Sequence, residues 1–401
     1  MTQARRKAIV IGAGIGGLTA AVALRRAGLD VEVYERAAEL GAAGSGLSVM
    51  SNALAALDSA GIDLGLEKRG QVLESYRVKT SKGRLIREFP FPGIIGRLGV
   101  PSVLITRSAL QAALLEAAEG IPVVLGAQAE RFDPDRPGGR VSVHFTDGTR
   151  ADGDVLIGAD GFNSAVRRQL TGPGDEPSQD SGYICWLALV PFEHPNFTPG
   201  SVTHFWGSGQ RFGLVDMGNG TLYWWGTKNM PTEESSDWKG GKEDVRRAFA
   251  GWAEEVQQAI AQTPQESILA VPSRDRTFLE QWGRGPVTLL GDAAHPMLTS
   301  LGQGSCMAIE DAVVLARHLA GSSDSTVALR RYEDERRERT RGMVAASRSI
   351  STFEQSVNPV RRPVRDAYFR FLPTGRLTAV LEGALTFPES RPAPKDAHAD
   401  R

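Results

Sequence analysis

Cysteine is scarce in this sequence, which has Cys185 and Cys306 and no others among its 401 residues. Two distant thiols are typical of small buried side chains in a reducing cytosol rather than of a disulfide framework. No Cys/His cluster has the spacing of metal ligands, so we expect no metal site. A run of about twenty apolar residues that could span a membrane is also lacking, and the glycines near the N-terminus do not suit a signal peptide. We therefore expect a cytoplasmic protein with no integral membrane segment.

A surplus of positive charge is also absent, because 46 Lys and Arg residues nearly balance 47 Asp and Glu residues. A nucleic-acid-binding protein needs such a surplus to displace counterions from phosphates, so the balance argues against this class. The hydrophobic share of 41% and the charged share of 23% are those of an ordinary globular protein. The length allows a nucleotide-binding domain and a smaller partner domain.

The first forty residues carry the clearest motif. Residues 8–11 are apolar and rich in β-branched side chains, which predicts a buried strand. A GxGxxG sequence follows at once, and its three glycines are Gly12, Gly14 and Gly17. Residues 18–27 then predict a helix. A second strand over 31–34 ends at Glu35. This order predicts a Rossmann βαβ unit that binds a dinucleotide.

Each residue of this motif has a physical role. Gly12 permits a tight turn, Gly14 lets the backbone approach a pyrophosphate, and Gly17 lets the helix lie close to the strands. The helix N-terminus presents free N–H groups to the phosphates, and Glu35 would accept hydrogen bonds from ribose hydroxyls. The motif by itself does not distinguish FAD from NAD.

Two later segments repeat the pattern of an apolar strand that ends in an acidic turn. The first reaches Asp160-Gly161 and continues into a helix, and an ordinary strand-to-helix turn explains it equally well. The second reaches Gly291-Asp292 and is followed by a Gly302-Gln303-Gly304 turn and an amphipathic helix over 305–318. The N-terminus of that helix is suited to an electron-rich group, such as a flavin ring edge that becomes anionic on reduction.

These three motifs, in this order, resemble those of the FAD-dependent aromatic-ring monooxygenases typified by para-hydroxybenzoate hydroxylase. The stretch from Gln281 to Ala312 is most similar to the branch that contains urate hydroxylase and zeaxanthin epoxidase. The resemblance covers about residues 5–345. It is specific for the family and not for a substrate.

The resemblance implies a role for individual residues. Glu35 would bind the adenosine ribose of FAD with Arg36 beside it, Asp292 the ribityl and pyrophosphate region, and Arg107 another part of FAD. Asp160-Gly161, supported by Arg167, would serve both FAD and NADPH or NADH, which binds only transiently. The expected cofactor-binding residues are thus Gly12, Gly14, Gly17, Glu35, Arg36, Arg107, Asp160, Gly161, Gly291 and Asp292. Candidates for the flavin face where oxygen reacts are Pro296, Gly302, Gln303 and Gly304.

The implied activity is hydroxylation of a small aromatic or heteroaromatic substrate with NAD(P)H and O2, through a flavin C4a-hydroperoxide. The alternatives are an alkene epoxidase, an oxygen-independent flavin reductase of isoprenoid double bonds, and a non-catalytic flavin-binding protein. No protein nucleophile is required, and His295 is interpreted as part of the flavin-binding motif rather than as a base. Arg211 is a candidate substrate anchor, with a surface position as the alternative.

Aromatic residues concentrate between residues 183 and 230, where runs over 183–190, 201–206, 211–217 and 221–227 predict strands. The aromatic side chains are explained either by a sheet core or by a substrate cavity wall. Residues 243–260 and 364–387 each predict a helical segment.

The predicted fold is α/β, with a discontinuous Rossmann-like FAD-binding domain, a second, mainly β-sheet substrate domain and C-terminal helices. The FAD-binding domain is expected over 1–70, 101–180 and 275–345, and the substrate domain over 71–100 and 181–274. A helical segment over 346–388 and a disordered tail over 389–401 follow. We expect a monomer or a homodimer.

Overall fold

A computed structural model describes residues 5–41, 45–136, 139–174 and 176–388 of the chain. The predicted disordered tail, 389–401, lies outside these described residues. Across the described ranges, no helix is both long and apolar enough to cross a membrane.

The structure is mixed α/β, and its elements alternate along the chain. The strands are β1 (Lys7–Ile11), β2 (Asp30–Tyr34), β3 (Gly46–Val49), β4 (Gln71–Val72), β5 (Ser75–Thr80), β6 (Leu85–Phe89), β7 (Val103–Thr106), β8 (Val123–Val124), β9 (Ala129–Arg136), β10 (Arg140–Phe145), β11 (Arg150–Gly153), β12 (Val155–Gly158), β13 (Gln179–Pro191), β14 (Ser201–Trp206), β15 (Gln210–Asp216), β16 (Thr221–Asn229), β17 (Leu269–Asp275) and β18 (Val287–Leu289). The α-helices are α1 (Ile15–Arg26), α2 (Ser51–Ser59), α3 (Leu66–Arg69), α4 (Phe91–Leu98), α5 (Arg107–Ala117), α6 (Ala165–Thr171), α7 (Thr232–Ser236), α8 (Lys242–Ala248), α9 (Glu254–Gln262), α10 (Gly304–Ala320), α11 (Ser325–Glu354), α12 (Arg361–Phe371) and α13 (Thr374–Leu385).

A five-stranded parallel sheet carries the three motifs, in the order β18-β12-β1-β2-β8. Its central strand, β1, is buried on both faces and packs in the main hydrophobic core with α1 and α10. In the pairing register, Ile11 lies beside Gly158 and Tyr34, and Gly158 lies beside Leu289. The carboxyl ends of these four strands therefore share one edge, as expected for parallel strands joined by helical crossovers.

A seven-stranded mixed sheet, in the order β17-β13-β16-β15-β14-β5-β6, forms the second layer. The four aromatic-rich strands predicted between residues 183 and 227 are its centre, β13 to β16. One face of this sheet packs against α8 and α9 in a separate core that includes Trp186, Phe212 and Trp224. Two smaller antiparallel sheets, β11-β10-β9 and β3-β7-β4, complete the β structure of the described residues.

Two predicted helical segments are each divided in the structure. The segment predicted over 243–260 forms α8 and α9, separated where Gly251 adopts a left-handed conformation (φ +69°). The segment predicted over 364–387 forms α12 and α13, separated before Pro373, which has no N–H to donate and keeps Leu372 extended. The helix predicted over 305–318 is confirmed as α10.

The predicted α/β fold class, with a parallel sheet, a separate mainly β sheet and C-terminal helices, is confirmed. The domain boundaries remain predictions. Helix α11 runs without a break from Ser325 to Glu354, through the position where the C-terminal segment was expected to begin.

Candidate functional site

The glycine-rich turn after β1 is packed too tightly for side chains at two of its positions. A Cβ added at Gly17 would lie 1.9 Å from the carbonyl oxygen of Gly12, and one added at Gly12 would lie 2.4 Å from that of Ala159. At Gly14, in contrast, an added Cβ would meet no atom within 4 Å. Gly12 and Gly17 thus allow the turn and helix α1 to approach the sheet, and Gly14 faces open space at the N-terminus of α1.

Glu35, just past the end of β2, lies against this turn. Its carboxylate accepts hydrogen bonds from the backbone N–H of Ala13 (2.8 Å) and of Ala37 (2.9 Å). The neighbouring Arg36 side chain is exposed. The turn and the acidic residue of the motif are therefore brought into contact, as the spacing predicts.

Asp160, at the end of β12, is engaged as a helix cap. Its carboxylate accepts hydrogen bonds from the hydroxyl of Ser164 and the N–H of Ala165, at the start of α6. Burial raises the pKa of this carboxyl group, and these hydrogen bonds oppose the rise. This contact fits the interpretation of Asp160 as a turn residue.

Arg167 connects the second motif to the third. The side chain is buried, and its Nη1 lies 3.5 and 3.4 Å from the carbonyl oxygens of Ala293 and Ala294. The turn after β18 is thus held from α6 on one side.

Asp311 of α10 holds the same turn from the other side. Its carboxylate accepts hydrogen bonds from the N–H of Gly291 (3.1 Å), from Nε2 of His295 (2.6 Å) and from Nε of Arg336 (2.7 Å). Burial would raise the pKa of Asp311, but His295 and Arg336 outweigh it and lower the pKa to about 2. His295 is buried in this network, in agreement with its interpretation as part of the motif rather than a base.

Asp292 and Arg107 both line a central cavity of about 320 Å³, between the shared strand edge and the seven-stranded sheet. The Asp292 carboxylate opens into this cavity. Desolvation by the surrounding protein raises the pKa of Asp292, and the nearby His295 and Arg107 oppose the rise. Gly302 and Gly304, at the start of α10, line the same cavity.

This arrangement fits FAD. The first turn of α1 begins beside the open space at Gly14 and contains no acidic residue, so its N–H groups suit a pyrophosphate. Asp292 and Arg107 would hold the middle of the cofactor. The N-terminus of α10, at the cavity, suits the flavin ring.

The far wall of the central cavity is the face of the seven-stranded sheet that is turned away from α8 and α9. Because side chains alternate along a strand, neighbouring strands contribute every second residue, and the cavity-lining members are Cys185, Leu187, Val202, His204, Arg211, Val215, Tyr223 and Trp225. At Gly213, an added Cβ would lie 2.2 Å from the Trp225 ring, so this glycine gives the indole its space. The aromatic residues therefore divide between a sheet core and a cavity wall.

Arg211 is buried in this wall, with 1% of its surface exposed, so the alternative of a surface position is wrong. Its guanidinium donates to the Glu354 carboxylate, which is also buried, and to the Ser300 hydroxyl (3.2 Å). It also lies 5.3 Å from the centre of the Trp225 ring. Burial opposes its positive charge, but Glu354 outweighs burial and raises the pKa of Arg211.

The other titratable groups of the wall are held neutral by burial. Burial lowers the pKa of His204 to about 3 and raises that of the Cys185 thiol to about 12, and the Arg211 charge lowers both. Burial also raises the pKa of Tyr76 and Tyr223. The Tyr76 hydroxyl lies 3.0 Å from Nδ1 of His204. The wall at neutral pH is therefore apolar and uncharged apart from Arg211 and its partner Glu354. Burial raises the pKa of Glu354, and the charge of Arg211 opposes this rise.

The structure brings together five of the residues singled out from sequence around the central cavity, namely Arg107, Arg211, Asp292, Gly302 and Gly304. Pro296 is buried beside the cavity-lining Met297, and the Gln303 side chain instead contacts Asn52 at 3.0 Å. Sequence reasoning missed Tyr76, His204 and Glu354. The alternation of β14 was a signal for His204, but nothing in the sequence shows which face meets the cavity.

The shared strand edge, the open turn at Gly14 and the central cavity define a dinucleotide-binding α/β protein. A model of the FAD binding domain family matches residues 5–347, and the chain belongs to this family of FAD-dependent monooxygenases.

Individual relatives agree with this membership. The aurachin C monooxygenase/isomerase of Stigmatella aurantiaca is 37% identical over 380 residues, 94% of this chain and 97% of that protein. An FAD-dependent urate hydroxylase of Klebsiella pneumoniae is 36% identical over 344 residues, 85% of this chain and 88% of that protein. The structure of HpxO from Klebsiella pneumoniae with FAD and uric acid has a TM-score of 0.88 and 31% identity, and covers 97% of this chain and 98% of that one. The predicted family, with its likeness to urate hydroxylases and zeaxanthin epoxidases, is confirmed.

Proposed function

We propose that this protein uses NAD(P)H and O2 to hydroxylate a small aromatic or heteroaromatic substrate bound in the central cavity. The observation that carries the proposal is the position of this cavity. A largely apolar wall that carries one cation, Arg211, faces Asp292 and the N-terminus of α10, where the flavin ring would lie. FAD, when bound, accepts electrons from a nicotinamide and passes them to O2, which supplies an electrophilic oxygen.

The chain's own residues would bind and orient the reactants. Asp292 and Arg107 would hold FAD, and the first N–H groups of α10 would stabilise negative charge on its ring. Arg211, fixed by Glu354, would anchor an oxygen of the substrate and turn an electron-rich carbon of its ring towards the flavin. Leu187, Val215 and their apolar neighbours would exclude water, so that the activated oxygen is transferred to the substrate and is not lost as H2O2.

The test is turnover of the FAD-loaded protein with NADH or NADPH, a panel of phenols and heteroaromatics, and isotopically labelled O2. We expect at least one compound to accelerate NAD(P)H oxidation and to gain one labelled oxygen on its ring. Products without label across the panel would refute hydroxylation.

The same assay separates the alternatives. A labelled epoxide from an alkene would indicate an epoxidase, and reduction of an isoprenoid double bond without O2 would indicate a reductase. A flavin that NAD(P)H never bleaches, with or without an aromatic ligand, would indicate a binding protein.

A further inference from the structure

A second cavity, larger than the central one, lies between the C-terminal helices and the edge of the seven-stranded sheet. Its volume is about 830 Å³, and we refer to it as the lateral channel. Its walls come from one face of α11, from α12 and α13, and from β5 and β6, with mostly apolar side chains such as Met343, Ile350, Phe369, Leu377 and Leu381. The residues of α11 that line it extend from Glu335 to Glu354, a length of about 28 Å along the helix.

The lateral channel adjoins the central cavity. Four residues, Met50, Tyr76, Ser300 and Leu301, line both spaces. Ser300 also accepts a hydrogen bond from Arg211, whose partner Glu354 lines the channel. A ligand in the central cavity therefore lies directly beside the channel.

Small residues keep the channel open between two helices. Gly342 and Ala346 line it from α11, and Gly383 and Ala384 line it from α13. A Cβ added at Gly342 or Gly383 would meet no atom within 4 Å. Close packing against a neighbour therefore does not explain either glycine. Both glycines also lower the stability of their helices relative to alanine.

Exposed apolar side chains surround the channel. Tyr368 and Val380 line it while more than half of each remains exposed. Val360, Val364 and Phe371 are also exposed, on the same helix as Tyr368 or immediately before it. The surface at this side of the molecule is therefore suited to an apolar group that enters from outside.

We propose that the lateral channel takes the hydrocarbon chain of an amphiphilic substrate whose aromatic ring occupies the central cavity. The inference rests on the proposed function, because that function places the reacting ring in the central cavity. The direct adjacency of the two spaces, which share Met50, Tyr76, Ser300 and Leu301 as lining residues, points to this occupant. A chain attached to the ring passes Met50 and Leu301 into an apolar space, and needs no polar partner there.

The experiment is calorimetric titration of the FAD-loaded protein with para-alkylphenols, from para-cresol to para-nonylphenol, below their aggregation limits. We expect the affinity to rise about two- to fourfold for each added methylene, because each one leaves water for the channel. An affinity that does not depend on chain length would overturn the proposal.

Gly342→Leu fills the channel from α11, and Ala345→Leu is the matched control, because Ala345 is exposed on the same helix and does not line the channel. Gly342→Leu is expected to weaken para-nonylphenol binding at least tenfold and to leave para-cresol binding unchanged, whereas Ala345→Leu changes neither. Gly383→Leu, from the opposite wall, repeats the test should Gly342→Leu not fold. Equal binding of para-nonylphenol by all variants would place the alkyl chain elsewhere and overturn the proposal.

Two further outcomes separate this inference from its premise and from another occupant. A chain-length gain that Gly342→Leu removes, without labelled oxygen in any alkylphenol, supports the channel and counts against the hydroxylase. A dimer in sedimentation that Val380→Asp dissociates, together with a flat alkylphenol series, would assign this face to a second copy of the chain.

Discussion

The ion network between α10 and α11 provides a quantitative test of how the FAD site is supported. Glu310 and Asp311 are fully buried, and Arg336 contacts both, at 2.5 Å and 2.7 Å. Asp311 also accepts the hydrogen bond from Gly291. The perturbation is Arg336→Met, which keeps most of the side-chain volume and removes the charge.

The magnitude follows from the partners that remain. Among the described residues, Glu310 keeps Arg339 and Asn52 as partners, whereas Asp311 keeps His295 and the Gly291 N–H. The fall in the pKa of Asp311 from 3.8 to about 2 corresponds to roughly 2–3 kcal/mol of favourable interaction at neutral pH. Because a buried carboxylate is left underpaired, we expect a total loss of about 3–5 kcal/mol in the free energy of unfolding.

The assay is urea unfolding at pH 7, followed by tryptophan fluorescence, with FAD retention measured by absorbance. Arg337→Met is the matched control, since Arg337 is the next residue on α11 and pairs with Asp334 at the surface. This pair, in which Asp334 is exposed and Arg337 is partly buried, should contribute less than about 1 kcal/mol. Weaker FAD retention is expected for Arg336→Met and not for Arg337→Met. Loss of Arg336 frees Asp311, which accepts the Gly291 N–H, and so loosens the Gly291-Asp292 turn.

The pH dependence has a definite sign. In the native protein the lowered pKa of Asp311 stabilises the fold above pH 3.8, and this stabilisation is lost as the pH falls towards 2. Without Arg336, burial raises the pKa of Asp311, so protonation relieves the deficit as the pH falls. The stability difference between the two proteins should therefore be smaller at pH 5 than at pH 7. A difference below 1 kcal/mol at pH 7, or one that grows on acidification, would refute this reasoning.

Four further substitutions test the proposed cofactor and substrate sites. Asp292→Ala should give a colourless preparation, because the carboxylate expected to hold FAD is removed; a fully yellow protein would contradict the assignment. Gly14→Ala should leave the apoprotein's unfolding free energy within about 1 kcal/mol and weaken FAD binding, measured by fluorescence titration, because its Cβ points into open space. Gly17→Ala should lower both the unfolding free energy and the affinity for FAD, because its Cβ would lie 1.9 Å from a carbonyl oxygen. Arg211→Gln should raise the KM for an aromatic substrate and, by leaving Glu354 buried without its cation, lower stability by about 3–5 kcal/mol; an unchanged KM would limit Arg211 to a structural role.

The Rossmann unit was predictable because its constraints are local. Gly12, Gly17 and Glu35 act within thirty residues, and tight packing at the first two admits no side chain. The meeting of the three motif-bearing strands was also predictable in kind, since parallel strands joined by helices place their carboxyl ends at one edge. The breaks at Gly251 and before Pro373 were missed because the apolar periodicity continues on both sides of each residue.

The substrate side of the site was less accessible to sequence reasoning. Tyr76 and His204 meet on the neighbouring strands β5 and β14 although they are 128 residues apart in sequence, and Arg211 meets Glu354 across 143 residues. No local pattern encodes such pairs. The wall that Trp225 forms also depends on Gly213 in the neighbouring strand.

Sequence by itself therefore determined the strand-and-turn motifs, because these depend on short-range backbone geometry. The order and spacing of the three motifs also determined the family to which the chain belongs and, through the family resemblance, FAD as the cofactor. Tertiary structure alone decided which strand face lines the central cavity, which ion pair fixes Arg211, and that a wide, mostly apolar channel lies beside that cavity. Alternation along a strand defines two faces but cannot choose between them. That choice is made when α8 and α9 cover one face and leave the other to the cavity.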